Sequence, residues 1–105
     1  MTIGPRMESK TIASNIGQRA ATRRFPAAAK LIEEALSRSE SFRGLCNDLA
    51  EAERALAATD EMPEPMREAR RAECQEWVES LTNEIARVLH EEKVIHIAAA
   101  KLMTR

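Results

Sequence analysis

Tyrosine is absent from this chain, and one tryptophan and two phenylalanines make up its whole aromatic content, 3% of 105 residues. A core built on large rings is thereby excluded. Three glycines and four prolines are too few for the turn density of a β sandwich or barrel. No apolar run approaches the ~20 residues that span a bilayer, and the first residues lack the apolar centre of a secretory signal. Neither charge sign dominates: 16 Lys and Arg face 17 Asp and Glu, a net charge of −1. No whole-molecule field therefore points towards nucleic acid or anionic lipid. There is no glycine-rich phosphate loop and no Ser/His/Asp or Cys/His set at motif spacing, and the chain offers little volume for a sizeable pocket. The expectation is a non-enzymatic, cytoplasmic protein without a cofactor.

Alanine fills the space these absences leave. Among the hydrophobic residues, 44% of the chain, 18 are Ala and only 26 are larger than Ala and Cys. Ala favours helix and lets helices approach closely, but a core of normal thickness needs larger side chains. The fold class read from composition is all-α.

The longest pattern lies between Met66 and Met103. Cys74, Val78, Leu81, Ile85, Val88, Glu92, Ile95, Ala99 and Leu102 follow steps of four and three, which draws one seam along a helix. Pro65 stands before this stretch, and no Gly or Pro follows. A single helix over about 65–103 is predicted, roughly 57 Å long at 1.5 Å per residue. A second pattern begins at Phe25-Pro26, where proline suits a first helical turn. It continues through Ala28, Ile32 and Ala35, then Phe42, Leu45, Leu49, Ala52, Leu56 and Thr59. Ser39 can cap a new helix at Glu40, so this arm is expected to bend or break into about 26–38 and 40–59. Gly44 costs it about 1 kcal/mol relative to Ala, a cost that a close helix crossing would explain. Between the patterns, Thr59 to Pro65 carries two prolines two residues apart, which no helix continues through.

Folding the chain about that turn pairs positions symmetric about residues 62–63. Leu49 then faces Trp77, Leu45 faces Leu81, Phe42 faces Ile85, Ile32 faces Ile95 and Ala28 faces Ala99. The expected architecture is an antiparallel, coiled-coil-like helical hairpin over 25–105, with a bent first arm and a long second helix. Residues 1–24 read as a mostly disordered basic arm, with Arg6, Lys10, Arg19, Arg23 and Arg24 against the single acid Glu8. Pairs such as Glu34–Arg38, Glu51–Arg54, Glu68–Arg71 and Glu84–Arg87 support solvent faces by a few tenths of a kcal/mol each. Cys46 and Cys74 fall about 8 Å out of register across the fold, beyond disulfide reach, and are read as free thiols.

Few residues suggest chemistry. Glu92 and His96 stand four apart on the seam side, a spacing that can ligate a metal if a partner helix adds ligands. The facing segment supplies Glu33 and Glu34 but no second His, so the leading reading is no metal site. His90, Val94 and Ile97 form a second stripe, four and three apart, that the hairpin leaves uncovered and that is a candidate contact surface. Trp77 has two readings, packing against Leu49 or anchoring a partner.

The run Phe25-Pro26, Leu31-Ile32, Leu36, then Ser39-Glu40-Ser41-Phe42-Arg43-Gly44-Leu45, a polar proline turn, and a Glu/Arg-rich helix with Leu81, Glu84 and Ile85 resembles the short bacterial proteins of the YdcH type. The resemblance covers residues 25–90. It implies a small self-associating helical hairpin and no activity. The basic N-terminal arm, the Ala-rich C-terminal extension and Cys46 depart from that pattern. The function read at this level is a self-associating, dimeric or partner-binding module. The alternatives are a metal or redox bundle using Glu92 and His96 across a dimer, and a nucleic-acid accessory using the basic arm.

Overall fold

The computed structural model describes residues 16–103, with side chains 96, 99, 100, 102 and 103 outside the description. The protein is all-α. Helix α1 covers residues 16–24. A 3-10 turn at Pro26–Ala28 leads into α2, Ala29–Arg38, and α3 runs Glu40–Ala58. A second 3-10 turn, Thr59–Glu61, precedes α4, Met66–Met103.

Local chemistry accounts for the breaks. Ser39 is extended, with φ −125° and ψ 116°, and its Oγ accepts the Phe42 N–H at 3.0 Å, satisfying a donor that α3 cannot. Arg43 reaches back to donate to the Leu36 carbonyl at 2.6 Å, which closes the exposed end of α2. At the other turn, buried Thr59 donates its hydroxyl to Leu56 O at 2.6 Å, Arg67 Nε donates to Met62 O at 3.1 Å, and Arg71 pairs with Asp60.

The core gathers Ile32, Phe42, Cys46, Leu49 and Ile85, all essentially inaccessible, with Val78, Leu81 and Leu89 around them and Leu45 and Leu56 at its margin. Its thinness shows in the dimensions, 62 × 41 × 19 Å. The short axis is about two helix diameters.

Residues 16–24 correct the reading of 1–24 as a disordered arm; residues 1–15 lie outside the described residues. Ala20 and Ala21 are fully buried. A Cβ on Gly17 would overlap Asn47 Oδ1 and stand 2.9 Å from Asn47 N and 3.0 Å from Cys46 C. Only glycine permits so close an approach of two backbones. Further along, Arg23 and Arg24 both bind Glu53, at 3.0 and 2.7 Å. The offset between α1 and α3 thus stays near 30 residues from Gly17 to Arg24, which means that the two helices run side by side in the same sense. The close crossing expected at Gly44 is found here instead, since nothing lies within 4 Å of a Cβ at Gly44.

The seam on α4 also differs from its expected course. Cys74, Val78, Leu81 and Ile85 are buried as the spacing predicts, but the next buried position is Leu89 rather than Val88, and Ile95 is 59% exposed. The pairing of Ile32 with Ile95 is therefore overturned, because Ile32 lies in the core. The reason is the placement of α2. The 3-10 turn and α2 face α4 across a groove lined by Phe25, Ala28 and Leu31 on one side and by the α4 flank of Ala86, Leu89, His90 and Lys93 on the other, and Arg38 pairs with Glu92. A cover on that flank draws in Leu89 and leaves Ile95 open.

Candidate functional site

The residues singled out by sequence fall in two places on α4. Near its start, Trp77 is 42% exposed, and it stands outside the core cluster. The expected packing against Leu49 is thereby corrected: Val78 supplies the buried side chain at this level. Trp77 instead borders a shallow groove with Ala55, Ala58, Met62 and Cys74, flanked by Arg70 and Glu73. The groove exists because α3 presents only alanine there, so the indole has no large side chain to bury it.

Beyond Leu89, α4 runs on with little cover. Val94 is 50% and Ile97 49% exposed, alongside the still more open Ile95. His90 is exposed beside Leu31, Ala86 and Lys93, and Ile97 borders Lys30, Leu31 and Lys93. His90, Val94 and Ile97 are each exposed, with residues of α2 bordering the first and last of them. Ile95 was placed in the covered seam by spacing and joins the open surface.

The arrangement gives metal chemistry little to work with. Glu92, half-buried, is engaged by Arg38, so its carboxylate is already neutralised by a guanidinium. The side chain of His96 lies outside the described residues. No cluster of three or more His, Cys, Asp or Glu able to hold a cation occurs among the described residues.

Cys46 and Cys74 are free and buried. Burial pushes the Cys46 thiol up to about 12 from its ordinary 9.0, because a thiolate there would lose its hydration. A protonated thiol is a poor nucleophile. Two of the three basic residues of α1 are similarly occupied, Arg23 and Arg24 sharing Glu53. No helix among the described residues is long and apolar enough to cross a membrane.

No family model, curated protein or solved structure matches this chain. The signal that sequence reading missed was the small-residue triplet Gly17, Ala20, Ala21. Its spacing of three and four is helical, but it lacks the large apolar residues by which a packed helix is usually recognised.

Proposed function

We propose that this chain is a non-enzymatic interaction module, an antiparallel helical hairpin that self-associates in a bacterial cytoplasm. The observation that carries the reading is the uncovered end of α4. Val94, Ile95 and Ile97 stand about half or more exposed within four residues, on a helix that extends past its own cover. Grouped β-branched residues left in water cost free energy that association recovers. The thin core supports the same reading, since a bundle formed by two copies buries more than one copy alone. The resemblance to YdcH-type proteins points the same way.

The metal and nucleic-acid readings are less favoured, because Glu92 answers to Arg38 and two arginines of α1 answer to Glu53. Sedimentation equilibrium from low to high micromolar concentration tests the proposal. A reversible dimer is expected, and a monomer throughout that range overturns it.

A further inference from the structure

Eighteen residues separate Trp77 from Ile95, about five turns at 3.6 residues per turn and about 27 Å of rise. The two therefore stand on one line along α4, and both are exposed. Helices α1 and α2 leave that line free. Arg24 approaches α4 at Gln75, Glu79, Thr82 and Asn83, and α2 approaches at Ala86, His90 and Lys93. At about 100° per residue these positions lie on the far side of the helix from Trp77, while Glu92, held by Arg38 at the end of α2, sits about 60° from the line. Between the apolar ends, the open line carries exposed Glu84 and Glu91 and half-buried Val88, with exposed Arg87 beside it.

We infer that the occupant of this face is a second copy of the same chain, its α4 laid antiparallel about a two-fold axis level with residue 86. This rests on the self-association proposed above and names its geometry. Turned end for end, the face complements itself, as a two-fold interface must. Trp77 comes level with the partner's Ile95, above the groove floored by Ala55, Ala58 and Met62, and Ile95 comes level with the partner's Trp77. Each Glu84 falls within one residue's rise of the partner's Arg87, and the pair is made twice. A parallel pairing also brings apolar to apolar, Trp77 to Trp77 and Ile95 to Ile95, but it sets Glu84 and Glu91 each against its own copy, so the charges repel. An anionic membrane is a poor occupant, because Glu84 and Glu91 stand midway along the face.

Trp77 is the only tryptophan, so its emission reads this contact directly. Emission spectra and sedimentation are recorded on the full chain over one concentration series. The expected result is a shift to shorter wavelength that tracks dimer formation. Ile95→Glu weakens association by at least about tenfold, as for an interface anchor, and abolishes the shift; its exposure keeps the fold, checked by far-UV circular dichroism. Glu84→Arg weakens association, and adding Arg87→Glu restores it to within about threefold of the natural chain, because both ion pairs reform with charges exchanged. A dimer that survives Ile95→Glu with unchanged tryptophan emission overturns this geometry while leaving self-association standing. A charge-exchanged double variant as weak as Glu84→Arg alone overturns the antiparallel register. Absence of any dimer in the natural chain overturns both readings.

Discussion

The two ends of α4 carry similar residues in different surroundings. From Cys74 to Leu89 the helix buries an apolar residue every turn, whereas from Lys93 to Ile97 its aliphatic side chains are open. Ile85 and Ile95 make the point. They share residue type, helix and three-four spacing, yet one is inaccessible and the other 59% exposed. Spacing sets which face of a helix is apolar, and the position of the neighbouring helices decides how much of that face is dry. In this protein α3 covers the first part of α4, and α2 turns to its flank before reaching the end.

The comparison can be broken most strongly at its buried end. Ile85→Ala is expected to lose about 2–5 kcal/mol of stability. Ile95→Ala, at concentrations where the chain is monomeric, should stay within about 0.5 kcal/mol. Urea unfolding of both variants measures this, and equal losses would mean that α4 is covered to its end.

A smaller contrast separates two glycines. Gly17→Ala forces a methyl into the backbone of Asn47 and Cys46 and should cost about 1–3 kcal/mol, with faster amide exchange confined to α1 at first. Gly44→Ala meets open space and should gain up to about 1 kcal/mol of helix stability. Thermal unfolding of the pair reads the sign of each, and a destabilised Gly44→Ala variant would reinstate a close crossing there.

Least visible at neutral pH is Cys46. Its thiol is raised in the folded state to about 12, so between about 9 and 12 the folded chain holds a proton that the unfolded chain has lost. Folded stability is then complete below about pH 9 and falls as pH rises towards 12. Urea midpoints across that range should decline, and Cys46→Ala should flatten the decline. At pH 8 the native thiol should react with a thiol reagent far more slowly than in urea, whereas prompt labelling of the native chain would show that Cys46 is not enclosed.

How much was legible in advance follows from the range of each interaction. Ser39 as a cap, the break between Arg38 and Glu40, the proline turn and the length of α4 depend on neighbours within a few residues, and the sequence displays them. Phe42, Leu49, Leu81 and Ile85 were recognisable as core because α3 and α4 are joined by a short turn that leaves little choice of register. The candidate surface was partly legible: His90, Val94 and Ile97 fall off the seam by spacing alone. Ile95 falls on the seam and Trp77 was set opposite Leu49 by folding about the turn, so neither read as open, because a periodicity carries no information on where a neighbouring helix ends. Glu92 read as a possible ligand because Arg38, its partner, lies 54 residues away.

Taken alone, the sequence determined that this protein is helical, where α2, α3 and α4 start and stop, and which residues are apolar enough to be buried. Those properties come from backbone sterics, capping and turn chemistry, all local. The tertiary structure decided that α1 docks through Gly17, that α2 takes the flank of α4, and that Trp77 and the Val94–Ile97 region stay in water. Packing between segments far apart in the chain sets these, and where alanines and a glycine line the contact, as at Gly17, Ala20 and Ala21, the approach of the backbones rather than the size of the side chains settles what is covered.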